Sequence, residues 1–550
     1  MGKPSLALLV AAWCGLCQAA IAQPLPAASA LELDAGPSPE SGPDPLTPPS
    51  LNGGPLLAPG AAEAPPESAP MGEADPIVVA VRERLADMRA PREVGERDDL
   101  AAIKAFYAAR ARAVWMLKAE FSARAQEAIL EIGQADAWGL KASAFDLPKP
   151  AEPNANVEAL AESEIKLSLA VLSYARQARG GRLEPSAISR KFDQKPRLYE
   201  PGSLLLAAAN ADDIAAYLRG LHPKHEQFSR LRQALLAARA APADPGSVRR
   251  LIANMERWRW MPDDLGDFYV WDSIPEQMTR VVDRQQVTLA EKIVVGKPST
   301  PTPIFSANMQ FIIFHPSWGV PAGMKVQELW PQLRNTGGGW FSMSPLASTV
   351  LAGHGLHVTR GGLPVNPDSI DWSKVDIRQF DFVQSPGPTN VLGIVKFRFP
   401  NKHDVYMHDT PERHLFGGAL RAFSHGCMRV QNPVRLAEIL LAHDKGWSPG
   451  DVQGYVRRGG EVALTTAIPV HVTYFTAVVD DAGSLQTFPD VYDLDVRVAS
   501  ALEGRPVSVA ASSSATTPKT ARAPARAGPR SAKNVKAPTA VNPLTAIFSN

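Results

Sequence analysis

The sequence predicts an α+β protein of several domains, in which a helical scaffold precedes a mostly β domain with a capping lid. Three observations predict it. At 550 residues the chain exceeds what one compact core usually takes. Between residues 76 and 240 apolar side chains recur at helical spacing. Beyond residue 261 the pattern changes to β-branched and aromatic runs, and eight of the eleven tryptophans lie between 258 and 447. The expected order is a signal segment (1–22), an acidic Pro-rich linker (23–75), the scaffold (76–260), the β domain (261–505, with its lid roughly at 318–388) and a basic tail (506–550).

Residues 1–22 read as a secretory signal. Lys3 supplies the positive start, residues 6–16 are apolar but too short for a stable membrane anchor, and Ala20-Ile21-Ala22 is a small-x-small cleavage site before Gln23. The expectation is an exported protein with no retained transmembrane segment. The linker that follows carries only acidic charges among Pro, Ala, Ser and Gly. It lacks the apolar surface to offset its ordering entropy, which predicts disorder.

In the scaffold, Leu100, Ile103 and Tyr107 form one helical stripe, Ile165, Leu169 and Leu172 a second, and Phe228, Leu231 and Leu235 a third. Asp98 and Asp99 are suited to the start of the first helix, and Gly180-Gly181 to the end of another. Trp115 and Tyr174 read as packing residues. A turn at 241–246 leads to a last helix through Leu251, Met255 and Trp258, stopped by Pro262. Strands are then expected at 268–271, 287–295, 311–314, 393–399 and 468–479. Residues 318–388 read as irregular, punctuated by Gly337-Gly338-Gly339, Gly361-Gly362 and Pro386-Gly387-Pro388. Trp330, Trp340, Phe341 and Trp372 argue for a packed lid over a site. Asn432 and Pro433 suit the start of one more helix. The tail is Ala, Ser and Pro-rich with Lys and Arg and without acids near its end. A net charge of +1 argues against a general nucleic-acid binder.

Chemistry concentrates in residues 403–430, which hold four of the eleven histidines: His403, His408, His414 and His425. Cys14 and Cys17 fall in the signal segment, so cleavage leaves Cys427 as the single cysteine. Three readings compete. In the first, Cys427 is a nucleophile toward a carbonyl carbon and His408 its base. The backbone N–H groups of Gly426 and Cys427 are then candidates to hold an oxyanion, and either the Asp409 side chain or a backbone carbonyl near it orients the imidazole. In the second, His403, His408, His425 and Cys427 bind zinc, although their spacing matches no strong metal motif. In the third, Cys427 is a buried bystander. The flanking residues favour the first, which calls for no metal and no cofactor.

Ser424-His425-Gly426-Cys427, preceded by Tyr406-Met407-His408-Asp409-Thr410, resembles the signature of the L,D-transpeptidase catalytic domain. Arg257-Trp258-Arg259-Trp260-Met261-Pro262, Val294-Val295-Gly296-Lys297-Pro298 with Thr302-Pro303, and Pro388-Thr389-Asn390-Val391-Leu392-Gly393 with Lys396-Phe397 are similar to the large periplasmic branch of that family. The resemblance spans roughly residues 90–505. It implies a periplasmic enzyme of peptidoglycan biosynthesis, and so of cell wall biogenesis and cell shape. Cys427 would form an acyl-enzyme with a tetrapeptide stem, and a second stem would resolve it as a 3→3 crosslink. His408 would be base and then acid, with Tyr406, Ser424, His425 and Arg429 around the substrate. Alternatives are an L,D-carboxypeptidase, attachment of an outer-membrane protein to the stem, or a non-catalytic wall-binding scaffold. Members of this branch often carry a peptidoglycan-binding domain before the Arg-Trp-Arg-Trp segment, where this chain has only residues 241–247.

Overall fold

In a computed structural model, the described residues are 56–59, 74–150, 152, 155–241, 244–336 and 345–506. The signal segment, most of the linker, the triple glycine with Trp340 and Phe341, and the basic tail beyond 506 lie outside them. Among the described residues no helix is long and apolar enough to cross a membrane.

The helical block is organised around one long helix. We label its elements α1 (Pro76–Asp87), α2 (Val94–Ala108), α3 (Ala123–Gly133), α4 (Val157–Gly180), α5 (Pro201–Asn210), α6 (Glu226–Ala240) and α7 (Pro245–Arg259). Helix α4 starts where the Asn156 side chain accepts from Ala159 N–H at 2.9 Å. It is apolar on most of its circumference because α1, α2, α3 and α5 pack around it. Leu100, Ile103 and Tyr107 of α2 and Ile165 and Leu172 of α4 are buried in one core, and Trp115 packs there as expected. Two expectations need correction. Asp99 lies inside α2, not at its start, and pairs with Arg176 of α4. Residues 56–59, assigned above to a disordered linker, dock on the block: Leu56 N–H donates to Leu198 O at 2.8 Å and Ala58 is buried.

The β domain is one nine-stranded sheet. Its strands are β1 (Phe268–Ser273), β2 (Met278–Asp283), β3 (Gln286–Gly296), β4 (Phe305–Phe314), β5 (Val395–Arg398), β6 (Met407–His408), β7 (Ala422–Ser424), β8 (Met428–Val430) and β9 (Gly460–Thr473). They pair in the order β7-β3-β8-β6-β5-β4-β9-β1-β2, and β2 pairs again with β3. That last pairing closes the sheet on itself, leaving β7 as an added strand along β3 and few free edges. Val270, Val281, Ile293, Ile312, Phe397, Met407, Met428 and Val470 fill the inside. Helix α8 (Pro433–Lys445) begins after Asn432 with Pro433 in its first turn, and Gly446 ends it. The sequence reading missed β2, helix α9 (Pro449–Arg458) and helix α10 (Leu494–Leu502). Each is short, at ten residues or fewer, so its apolar pattern has few repeats in which to show.

The stretch expected to pack as an irregular lid is a subdomain with strands of its own. Trp318–Gly319, Asp381–Gln384, Leu356–Arg360 and Leu363–Pro364 form a four-stranded sheet in that order. With Leu329, Leu333, Leu351, Trp372 and Phe380 they enclose a core of their own. The strands are too brief for period-two alternation to register in the sequence. Asn390 locks the return of the chain: its Nδ2 donates to Pro316 O and Ser385 O at 3.0 Å, and its Oδ1 accepts from Leu392 N–H at 2.8 Å.

The Arg257–Pro262 segment rivets the helical block to the sheet. Arg257 pairs with Asp495 of α10 at 2.7 Å. Trp258 stacks on Phe475 with centroids 4.5 Å apart, and Trp260 meets Phe192 edge-on at 5.1 Å. Arg259 donates to Trp138 O at 2.6 Å, while Glu256 accepts from Arg182 and Leu183 N–H.

Candidate active site

Strand register alone brings the chemistry together. Strands β6 and β8 run parallel, with Met407 opposite Met428 and His408 opposite Arg429. Side chains alternate along a strand, so Met407 and Met428 point into the core while Tyr406, His408, Cys427 and Arg429 share the other face. Lys396, opposite His408 on β5, joins that face. It opens on a cavity of about 550 Å³ whose lining includes Tyr406, His408, Ser424, His425, Cys427 and Arg429. The lid contributes Trp318, Pro321, Met324 and Gln327, and the loop after β3 contributes 298–301.

The imidazole is oriented by a carbonyl. His408 Nδ1 lies 2.5 Å from Asp409 O. A carbonyl only accepts, so Nδ1 carries the proton and Nε2 keeps its lone pair. The Asp409 carboxylate is engaged elsewhere, accepting from Ile394 N–H at 2.9 Å and pairing with Arg413 at 2.6 Å. Gly393 is required beside it: its φ is +59°, and a Cβ there would lie 2.3 Å from Asp409 Oδ2. Burial, then the nearby Arg429 guanidinium, pull the imidazole down to about 3. Arg429 is itself held by Glu412 in a buried ion pair. Burial raises the Cys427 thiol above its usual value, against hydrogen bonding from Tyr406 and the charge of Lys396. The resting pair is therefore neutral thiol and neutral imidazole.

Ser424 builds the turn that presents the thiol. Its Oγ donates to Cys427 O at 2.5 Å and accepts from Gly426 N–H at 3.1 Å. Gly426 reaches φ +115°, which favours glycine. Its N–H, offered above with that of Cys427 as an oxyanion donor, is engaged here by Ser424 Oγ. Tyr406 is half-buried beside the thiol, with its ring 4.0 Å from Lys396 Nζ. His425 Nε2 lies 2.5 Å from Glu328 Oε1 of the lid, tying the cysteine turn to the subdomain above it. His403 pairs with Asp193 at 2.9 Å and His414 is exposed. Among the described residues no group of three or more His, Cys, Asp or Glu side chains is placed to hold a metal ion.

Sequence reasoning missed Glu328, Glu412 and the role of Lys396. It also missed the wall formed by Ser189, Arg190 and Lys191 from the helical block and Tyr492 and Arg497 near the end. Glu412 lies only four residues past His408 but carries no local sign of its pairing with Arg429, and Glu328 and the wall residues lie far from the motif in the chain. Lys396 is the exception, since its place between buried Val395 and Phe397 marks it as facing away from the core.

A helical scaffold and a β domain with a thiol and an imidazole in a lidded cavity together define the class. Residues 101–235 match the Scaffold domain family and residues 267–469 match the L,D-transpeptidase catalytic domain family. A Haemophilus influenzae protein named as a candidate L,D-transpeptidase is 24% identical over 296 residues, covering 53% of this chain and 58% of that relative. Among solved structures, the L,D-transpeptidase from Mycobacterium smegmatis is 14% identical over 38% of this chain and 58% of its own, with a TM-score of 0.18. Mycobacterium tuberculosis L,D-transpeptidase 1 is 15% identical over 38% of this chain and 61% of its own, with a TM-score of 0.14. The chain thus joins a Scaffold domain to an L,D-transpeptidase catalytic domain.

Proposed function

We propose that this protein is an exported, periplasmic L,D-transpeptidase that forms 3→3 crosslinks between peptidoglycan stems through an acyl-enzyme on Cys427. The observation that carries the reading is the β6–β8 register, which sets His408 and Cys427 on one face at the floor of a lidded cavity. The cavity is of the size that takes a peptide end.

The Cys427 sulfur attacks the carbonyl carbon preceding the terminal D-Ala of a tetrapeptide stem, and its proton passes to His408 Nε2. The oxyanion lies against Cys427 N–H. Collapse breaks the amide bond. His408 returns the proton to the departing D-Ala amine, and a thioester remains. The side-chain amine of a second stem then attacks and gives its proton to His408, and the thiol is regenerated as the new amide forms. Because Nδ1–H is held by a carbonyl and not a carboxylate, no buried anion competes for the proton. The lid and its Glu328–His425 contact favour an amine over water by limiting solvent at the thioester.

The test incubates the full chain with a purified disaccharide-tetrapeptide and reads the products by mass spectrometry. Crosslinked dimer, absent with Cys427→Ala, is the expected result. Tripeptide without dimer would instead indicate an L,D-carboxypeptidase. An adduct of the stem to an outer-membrane protein would indicate attachment of that protein. No product and no Cys427 adduct would overturn the enzymatic reading in favour of a wall-binding scaffold.

A further inference from the structure

The scaffold reaches into the catalytic cavity. Between α4 and α5 the chain passes along the sheet, where Ser189, Arg190 and Lys191 form one wall of the cavity that holds Cys427. This passage is fixed. Ile304 N–H donates to Lys191 O at 2.7 Å, Asp193 N–H donates to Ile304 O at 2.9 Å, and Lys191 N–H donates to Ser189 Oγ at 3.2 Å. Phe192 is buried against Trp260.

The charges of this wall are unbalanced. The carboxylate of Asp193 is taken by Lys402 at 2.5 Å and by His403 at 2.9 Å. Among the described residues, Asp404 is the one acidic residue in the cavity lining, alongside the cations Arg190, Lys191 and Arg429. Arg429 is matched by Glu412. The Lys191 ammonium is half-buried, and among the described residues no carboxylate or carbonyl receives it. Desolvation alone lowers it. Holding a half-dehydrated cation without an anion costs free energy, and an anion entering the cavity would recover it.

We propose that Lys191, with the exposed Arg190 beside it, is a specificity-determining site contributed by the scaffold, which receives a free carboxylate of the peptide bound at Cys427. The helical block then completes the substrate site as well as supporting it. The identity of the anion as a stem-peptide carboxylate rests on the proposed function; the charge selectivity of the cavity does not.

The experiment uses the full chain and two alkylating probes of similar size, iodoacetate and iodoacetamide. In each case the Cys427 sulfur displaces iodide and forms a thioether. The iodoacetate-to-iodoacetamide rate ratio at Cys427, normalised to a free thiol at the same pH, is expected to fall about three- to tenfold in Lys191→Met and to be retained in Lys191→Arg. An unchanged iodoacetamide rate reports an intact fold. A ratio in Lys191→Met equal to that of the wild type would overturn the proposal. With tetrapeptide donors, Lys191→Met is expected to raise KM with little change in kcat for the free acid and to leave a carboxyl-amidated donor unaffected. Equal KM changes for both donors would overturn the assignment of the anion to the peptide. Should the wild type turn over neither donor, the proposed function fails while the alkylation ratio still decides the charge of the site.

Discussion

Glu164 in the helical block and His408 in the β domain, which stands beside the half-buried Cys427, are both removed from water, and the chain treats them in opposite ways. The Glu164 carboxylate accepts from Tyr107 Oη at 2.7 Å and from the N–H groups of Val114, Trp115 and Met116 at 2.6, 2.9 and 2.8 Å. Every lone-pair direction is used, and Ser168 extends the network to Trp115 Nε1. His408 has one carbonyl on Nδ1 and leaves Nε2 open, and the Cys427 thiol reaches only Asp404 O at 3.9 Å as a donor. Burial with full satisfaction makes a structural joint, here between α2, the following turn and α4. Burial beside a cavity, with bonding capacity left over, makes a reactive centre.

The largest expected effect breaks the first half of this comparison. Glu164→Ala orphans three backbone N–H groups and leaves the Tyr107 hydroxyl with Ser168 Oγ alone, and should cost on the order of 4 kcal/mol in denaturant unfolding. The per-molecule alkylation rate of Cys427 should stay as in the wild type. A loss of Cys427 reactivity without loss of stability would show that Glu164 is not merely a joint.

His408→Gln tests the second half. Acyl-enzyme formation should fall about 10³-fold, with a much smaller change in stability. The imidazole is depressed to about 3 from an ordinary 6.5. Its neutral burial therefore contributes stability above about pH 6.5, and this is lost as pH falls toward 3. His408→Gln should flatten that acid limb, and an unchanged limb would place the imidazole in a more polar setting.

Asp272 gives the opposite sign and a smaller effect. It is fully buried, faces Thr279 across the β1–β2 pair, and has no formed hydrogen bond on either oxygen. Burial raises it to about 7 from 3.8. The unfolded chain ionises first, so the contribution of this group is fully present below about pH 4 and declines as pH rises through about 7. Asp272→Asn should gain about 2 kcal/mol at pH 8 and little at pH 4, by thermal or denaturant unfolding. An equal gain at both pH values would mean that packing, not charge, sets the effect.

The smallest effect is one of shape. A thiolate–imidazolium pair would give an alkylation rate that levels near pH 6, whereas a raised thiol beside a depressed imidazole predicts a rate that keeps climbing beyond the ordinary thiol range. Iodoacetamide kinetics against pH separate the two, and a plateau near pH 6 would remove the contrast with Glu164.

Cys427 and His408 were legible in the sequence because a lone thiol after Ser-His-Gly, downstream of a histidine, is a short-range pattern. The three scaffold stripes were legible because their helices are long enough for a 3.6-residue period to repeat. The lid sheet was not, since its strands hold two to five residues, too few for alternation to stand out. The helix through Leu494 and Val498 was not, because its apolar face is short and meets α7 from far along the chain.

By itself the sequence determined the α+β order, the helical scaffold, the strand-rich second half and the candidate thiol–imidazole pair, all of which follow from local periodicity, turn chemistry and residue type. The tertiary structure decided the rest. It chose the Asp409 carbonyl over its carboxylate as the partner of His408, gave the Gly426 N–H to Ser424, brought Glu328 to His425 from 97 residues away, and set Lys191 of the scaffold in the cavity wall. The first two join residues one and two positions apart and are settled by how the fold bends each turn; the last two depend on domain packing that joins atoms distant in sequence, and no local pattern of residues encodes such a distance.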